Sequence, residues 1–170
     1  MERDLSIKQA VISFWKNGFK FSGRSRRSEY WLSLLGHVII FAFVYLLFWL
    51  AYFLTGKHFD VNKTYYIVVE AFTWIAFIPG MAIGSRRLQD INISGIYCII
   101  VSLISIPLSL LEYFYSESFL SSIETLIGKF YFFVNPIFLI ASMVLFIMSL
   151  KEGTRGPNKY GADPKYSEVR

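Results

Sequence analysis

The sequence predicts an all-α polytopic integral membrane protein, in which an interfacial amphipathic helix precedes four transmembrane helices. Three observations lead to this fold class. The chain is 55% hydrophobic, and its apolar residues occur in blocks, most of which are long enough to cross a bilayer. Short polar connectors separate these blocks and hold most of the charge. Lysine and arginine are concentrated in alternate connectors, as expected when successive loops face opposite sides of a membrane.

Residues 6–21 predict the amphipathic helix. One face carries Ile7, Ala10, Val11, Phe14 and Phe21 with Trp15 beside them, and the opposite face carries Gln9, Ser13, Lys16 and Lys20. Aromatic side chains opposite lysines are typical of a helix that lies in the plane of the membrane interface. The alternative is a helix packed on its own domain. We expect the interfacial position, since the sequence offers no second apolar layer for this helix to cover.

Four apolar segments predict the transmembrane helices. The first covers residues 31–54 and carries no charge. It contains one histidine, His37, which we expect to be packed or hydrogen-bonded. The second covers residues 65–83, with Glu70 near its start and Pro79-Gly80 near its end. The third, residues 96–111, is the shortest, and the fourth covers residues 130–150. Ser121 and Glu124 form a capping-box pattern that predicts a helix start before the fourth span.

The distribution of basic residues predicts the orientation. Of the 17 Lys and Arg residues, seven precede the first span, two lie in the second loop, five lie in the tail and three lie on the other side. This bias predicts a cytoplasmic N-terminus, second loop and C-terminus, which requires an even number of spans. The chain then divides into a cytoplasmic N-terminal segment (residues 1–30), a transmembrane domain (31–150) and a cytoplasmic tail (151–170). Residues 1–30 lack the features of a cleavable signal peptide.

Three short segments carry constrained patterns: residues 21–31, 86–95 and 156–164. They contain Gly-Arg-x-x-Arg-x-Glu-Tyr-Trp, Arg-Arg-Leu-x-Asp-x-x-x-Ser-Gly and Gly-x-Asn-x-Tyr-Gly-x-Asp-Pro. The predicted topology places all three on the cytoplasmic side, next to the membrane. We therefore expect the three motifs to meet, although they lie far apart in the sequence.

In these motifs the chain resembles the bacterial inner-membrane family catalogued as domain of unknown function 805. The resemblance covers about residues 14–164 and implies a small four-span helical domain in the inner membrane, with no established activity. The second motif departs from the family pattern at Gln89, where histidine is usual, at Asn92, where glycine is usual, and at Ile93, where a basic residue is common.

The motifs supply the candidate site residues. The candidates for binding an anionic headgroup or phosphorylated ligand are Arg24, Arg26, Arg27, Arg86 and Arg87, because guanidinium groups grip phosphate through paired hydrogen bonds. The candidates for structural pairing are Glu29, Asp90, Asn158, Tyr160 and Asp163. The alternative is that the arginines only enforce orientation and pin the tail beneath the spans.

Glu70 allows two interpretations. A carboxylate inside a span costs about 2.5 kcal/mol or more unless it is paired, protonated or in contact with water. Glu70 follows the predicted start of its span closely, so it can reach water near the outer interface. The alternative is a proton- or cation-handling group in a path between spans.

These observations predict a non-enzymatic inner-membrane protein that acts as a lipid-interacting module or a partner subunit. The alternative is a small transporter or channel component with Glu70 in the path. An enzyme is disfavoured because the two histidines and Cys98 lie near no other catalytic group in the sequence. No metal-ligand spacing is present, and we expect no cofactor. The expected partners are membrane lipids with anionic headgroups and a second copy or another membrane protein, and not nucleic acid.

Overall fold

The computed structural model describes residues 5–54, 60–116 and 124–166. These residues form five helices: α1 (Ile7–Lys16), α2 (Arg27–Leu54), α3 (Val61–Asp90), α4 (Ile96–Ser116) and α5 (Glu124–Leu150). No strand occurs in the described part of the chain, so the predicted all-α class is confirmed. The predicted capping box at Ser121 lies outside the described residues.

The helix lengths agree with a membrane protein. Three helices are long and apolar enough to cross a bilayer: α2, α3 and, within α5, the segment Phe132–Leu150. The described apolar part of α4, Ile96–Pro107, is shorter. Many large apolar side chains on the outer faces of α2, α3 and α5 are exposed. Such surfaces are typical of helices that contact the hydrocarbon chains of a bilayer.

Helix α1 is shorter than predicted and packs against protein. It begins at a capping box between Ser6 and Gln9 and ends at Asn17. Ala10 and Phe14, on the predicted apolar face, are buried. A Cβ placed at Gly36 of α2 would collide with the side chain of Val11, so the two helices approach closely. The sequence did not reveal an apolar surface for α1 to cover. The structure shows that α2 supplies this surface.

The outer side of α1 is also partly apolar. Ile12, Trp15 and Phe19 are exposed, and Phe19 in the following turn is 78% exposed. This exposed side leaves a surface on α1 that can contact lipid after its inner face is covered.

Helix α3 extends beyond the predicted span at both ends. Asp60 caps its start by accepting a hydrogen bond from the Lys63 amide at 3.0 Å, and the helix continues through Pro79 to Asp90. Arg86, Arg87 and Asp90, which were expected in a loop, belong to the C-terminal end of α3. The helix continues this far because residues 81–90 are all buried against the neighbouring elements, which outweighs their polar character.

A short turn then reverses the chain into α4. Asn92 has a φ of 63°, a left-handed conformation that asparagine tolerates better than most residues. Gly95 lies so close to α3 that a Cβ there would collide with the Ser85 hydroxyl. Helix α3 contacts α1, α2, α4 and α5, and α4 also packs on α5. The start of α2, the end of α3, the start of α4 and the end of α5 lie together, at what we call the motif end of the bundle.

Candidate functional site

The centre of the motif end is a carboxylate shared by two arginines. Asp90 Oδ1 accepts a hydrogen bond from Arg24 Nε at 2.9 Å, and Asp90 Oδ2 accepts one from Arg87 Nη1 at 2.5 Å. The side chains of these three residues are at most 3% exposed. Arg24 belongs to the first motif, whereas Asp90 and Arg87 belong to the second. We call this group the Asp90 triad.

The triad's arginines also donate hydrogen bonds to main-chain carbonyls at the end of α5 and in the tail that follows it. Arg24 Nη2 donates to the Thr154 carbonyl and Arg24 Nη1 to the Gly156 carbonyl, both at 2.6 Å. Arg87 donates to the Ser149 carbonyl at 3.0 Å and to the carbonyl of Lys151. These carbonyls lie at the end of α5 and in the segment after it, where intrahelical donors are lacking. The buried arginines therefore join the tail to the start of α2 and the end of α3.

The tail in turn caps the C-terminal end of α3. The Thr154 amide and hydroxyl donate to the Asp90 carbonyl at 2.9 and 3.0 Å. The Asn158 side-chain amide donates to the Gln89 carbonyl at 2.9 Å and to the Thr154 hydroxyl at 3.0 Å. A Cβ at Gly153 would collide with the Asp90 carboxylate, so only glycine fits between the tail and the triad.

Glu29 and Arg86 form a second buried pair beside the triad. Glu29 accepts hydrogen bonds from the Ser13 hydroxyl at 2.6 Å and from the Ser25 hydroxyl at 2.8 Å. Arg86 lies 3.7 Å from the same carboxylate, at ion-pair distance. Arg86 Nε and Nη2 are buried without a hydrogen-bond partner among the described residues. This pair connects α1, α2 and α3.

Gln89 fixes the segment before α2. Its side-chain oxygen accepts a hydrogen bond from the Gly23 amide at 2.9 Å, and its side-chain nitrogen donates to the Phe21 carbonyl at 2.9 Å. Ser85 donates to the same carbonyl at 3.0 Å. Gln89 therefore has a structural role, because it holds the segment before α2 against α3.

Asp163 organises the tail itself. Its carboxylate accepts hydrogen bonds from the amides of Gly156 and Lys165, each at 3.0 Å. Burial alone would raise the pKa of this carboxyl. The two amides and the nearby Arg24 and Lys165 outweigh burial and hold the pKa below its usual value.

Tyr160 has a more local role than the other pairing candidates. Its amide donates to the Asn158 side-chain oxygen at 2.9 Å. Lys159 Nζ lies 5.0 Å from the centroid of the Tyr160 ring, within cation–π range.

A cavity of about 380 Å³ opens beside the triad, and we call it the basic cavity. Its charged lining residues are Arg24, Arg26, Arg27, Arg155, Lys165, Asp90, Glu152 and Asp163. Arg27 and Arg155 are exposed, and Arg27 Nη1 donates a long hydrogen bond, at 3.4 Å, to the Leu150 carbonyl. The lining thus combines fixed, buried charges with exposed cationic side chains.

The structure divides the candidate binding arginines into two groups. Arg24, Arg86 and Arg87 are buried in ion pairs, whereas Arg26 and Arg27 line the basic cavity without belonging to the triad. Four pairing candidates, Glu29, Asp90, Asn158 and Asp163, hold contacts at the motif end, and Tyr160 lies beside them in the tail. Glu70 lies elsewhere: it is exposed on α3 and does not line the basic cavity.

Several residues of the site were not candidates in the sequence. Ser13, Ser25, Thr154 and Gly153 touch the buried charges directly, and Arg155 and Lys165 line the cavity. Small hydroxyl residues and glycines are common in loops, so no pattern distinguished them. Arg155 and Lys165 were counted in the sequence only as part of the charge bias that predicts the orientation.

Comparisons with known proteins identify the family to which the chain belongs. The inner membrane protein YhaI of Escherichia coli strain K12 is 27% identical over 158 residues, which are 93% of this chain and 97% of the relative. The protein of the same name from Escherichia coli O157:H7 matches equally. No solved structure matches the chain. The model of the family described as protein of unknown function (DUF805) matches residues 18–162, which include the first two motifs and most of the third. The chain therefore belongs to this family, and the resemblance inferred from the three motifs is confirmed.

Proposed function

We propose that the protein is a non-enzymatic, four-span protein of the bacterial inner membrane whose basic cavity binds the phosphate of an anionic lipid headgroup on the cytoplasmic side. The observation that carries the proposal is the charge of the cavity. Five cationic side chains and three carboxylates line it. Arg24 and Asp90 neutralise each other at 2.9 Å, which leaves four cations against two carboxylates. An excess of positive charge beside a membrane favours an anionic headgroup.

The four-span count is supported by the convergence at the motif end. Helix α3 ends there, α4 begins there after a short turn, and α5 ends there, since Ser149 and Thr154 contact Arg87 and Arg24. If α5 crosses the bilayer and ends at the motif end, its first residues must lie on the opposite side of the membrane. The chain between the end of α3 and the start of α5 must then cross as well, and that crossing belongs to α4.

The cytoplasmic placement of the motif end rests on charge. The arginines at and before the start of α2, the two arginines at the end of α3, and Arg155 and Lys165 of the tail lie at this end. The positive-inside bias favours the cytoplasmic side for an end with this charge. The relative YhaI is by its name an inner membrane protein, which supports the same membrane for this chain.

A non-enzymatic role is supported by the use made of the buried arginines. Arg24 and Arg87 direct their N–H groups at carbonyl oxygens and at Asp90. Arg24 therefore forms part of one wall of the cavity, and Arg87 holds Asp90 behind it, while Arg27 and Arg155 remain at the exposed rim. Such a division suits stable binding of a headgroup, because the guanidinium groups at the rim can reach phosphate oxygens in pairs.

Thermal unfolding of the purified full-length chain in a neutral detergent tests this proposal. Short-chain phosphatidylglycerol is expected to raise the Tm, because a ligand that binds only the folded state stabilises it. Short-chain phosphatidylcholine is expected to raise the Tm less. A double variant, Arg27→Gln with Arg155→Gln, removes two cavity cations outside the triad and is expected to lose most of the difference.

The controls separate the possible outcomes. Lys159→Gln removes one exposed tail charge that does not line the cavity, and it should keep the phosphatidylglycerol effect. An equal effect of inorganic phosphate alone would assign the site to a soluble anion and overturn the lipid proposal. Equal effects of the two lipids, or an unchanged difference in the double variant, would also overturn it.

A further inference from the structure

A second cavity lies within the bundle, away from the basic cavity. It has a volume of about 380 Å³ and is bounded by α2, α3 and Ser102 of α4, with Phe14 of α1 at one side. Its lining is mostly apolar and contains no Lys, Arg, Asp or Glu. Leu34 lines it and is 48% exposed, so the cavity reaches the outer surface of the bundle. A ligand can therefore enter from the bilayer.

His37 supplies a hydrogen-bonding atom in this lining. Its Nδ1 lies 2.7 Å from the Ser33 carbonyl oxygen. A carbonyl can only accept, so Nδ1 carries the proton, and in the neutral ring Nε2 is an acceptor. Nε2 is buried and has no hydrogen-bond partner among the described residues, a situation that native structures rarely leave uncompensated.

The surroundings hold the His37 ring in place. Phe14, Trp15 and Phe72 pack around it, with ring centroids 4.7, 6.0 and 5.4 Å from the imidazole. Two hydroxyls of the lining, by contrast, are used within their own helices: Ser33 donates to the Tyr30 carbonyl at 2.8 Å, and Thr73 donates to the Val69 carbonyl at 2.9 Å. His37 Nε2 is thus held in place beside the cavity and has no hydrogen-bond partner among the described residues.

We propose that this cavity binds an uncharged lipid that carries a free hydroxyl, whose O–H donates to His37 Nε2 while its hydrocarbon chain fills the apolar lining. An apolar cavity of this size with few polar groups is typical of small-molecule sites. The lining has no cationic side chain to stabilise a carboxylate or phosphate, so an ionised headgroup is excluded by its desolvation cost. This site is independent of the headgroup site proposed above.

Gly80 provides a way to block the cavity without disturbing its walls. It lines the cavity, and a Cβ placed on it meets no atom within 4 Å. Gly80→Leu is therefore expected to fill the cavity while the helix stays intact. Ala71→Leu adds leucine at an exposed position of the same helix that does not line the cavity, and it is the matched control.

Thermal unfolding of the full-length chain in phosphatidylcholine nanodiscs, with added oleyl alcohol or oleyl methyl ether, tests the site. The two probes share the chain, but only the alcohol can donate to Nε2. The alcohol is expected to raise the Tm more than the ether. His37→Phe keeps an aromatic ring and should lower the apparent affinity for the alcohol about fivefold, the size expected for one neutral hydrogen bond.

The remaining outcomes decide the matter. Gly80→Leu should abolish the response to the alcohol, and Ala71→Leu should keep it. Equal responses of the wild-type chain to alcohol and ether would overturn the role of His37. An undiminished response in a folded Gly80→Leu variant would overturn the cavity as the site.

Discussion

Asp90 accepts charged hydrogen bonds from two buried arginines, so its removal leaves more than one buried charge without compensation. Arg24 and Arg87 lie on either side of it at 2.9 and 2.5 Å. Burying charges is costly, and a pair in which one partner is removed loses more than the pair contributed. The same carboxylate excludes any side chain at Gly153. The stability of the motif end is thus concentrated in very few residues.

Asp90→Asn is expected to lower the stability of the folded chain by about 3 kcal/mol, the cost of breaking a buried ion pair. Thermal unfolding in detergent measures the loss. Glu152→Gln removes an exposed carboxylate from the same region and should change stability by less than about 0.5 kcal/mol. Equal effects of the two substitutions would contradict the importance of the triad.

Asp163 is expected to make tail docking sensitive to acid. Its pKa in the folded chain lies below the ordinary value of 3.8, so the ionised carboxylate stabilises the docked tail above that value. This contribution is lost as the pH falls through the folded-state pKa. Hydrogen exchange at the Gly156 and Lys165 amides, which bond the carboxylate, should lose protection in that range.

Asp163→Asn provides the comparison. The variant cannot ionise, so its amides should show lower protection near neutral pH and no titration step at Asp163. A step of the same size in the variant would assign the acid response to another carboxylate.

At the level of elements, the position of α1 depends on its close packing against α2. Gly36 of α2 touches Val11 and Ile7 of α1, and Ser13 of α1 bonds Glu29 at 2.6 Å. This packing buries the apolar face of α1, whereas the side chains of Ile12, Trp15 and Phe19 are exposed. Helix α1 therefore packs on the outside of the bundle, and its other side is available to contact lipid.

Gly36→Leu is expected to displace α1 and to destabilise the chain by about 3 kcal/mol, the upper end of the usual cost of overpacking. Trypsin cleavage at Lys8 and Lys16 should become faster in parallel. Gly80→Leu introduces the same side chain where a Cβ meets no neighbour, and it should leave both the stability and the cleavage rate nearly unchanged. An equally small effect at Gly36 would show that α1 is not held against α2.

For the whole molecule, the decisive feature is that the three motifs meet at one end of the bundle. Arg24 contacts the second motif through Asp90 and the third through the Gly156 carbonyl. These contacts fix which helix ends share a side, and so they constrain how often the chain crosses the membrane. The lysine and arginine bias predicts that this side is cytoplasmic.

Reporter fusions test this topology. Fusions near Gln89 and after Lys165 are expected to report the cytoplasm, and fusions after Leu54 and near Ser118 are expected to report the periplasm. The physical reason is that basic connectors are retained on the cytoplasmic side during insertion. A cytoplasmic signal near Ser118 would contradict the crossing of α4.

The sequence by itself determined the all-α class, the helical order and the meeting of the motifs. A spanning segment must satisfy its backbone internally and match the bilayer thickness, so long apolar runs predict helices without knowledge of their neighbours. The charge bias acts through short connectors in the same way. These are local requirements, and local patterns report them.

Only the tertiary structure decided which arginines are buried and which line a cavity. Arg24 and Asp90 are 66 positions apart, and composition is silent on whether a guanidinium pairs with a distant carboxylate or reaches an exposed rim. The helical state of Arg86 and Arg87 and the covered face of α1 also depend on partners far away in the chain. The same holds for His37, whose tautomer follows from one carbonyl and whose cavity is made by four helices. Burial and pairing are properties of assembled surfaces, and they arise only when the helices pack.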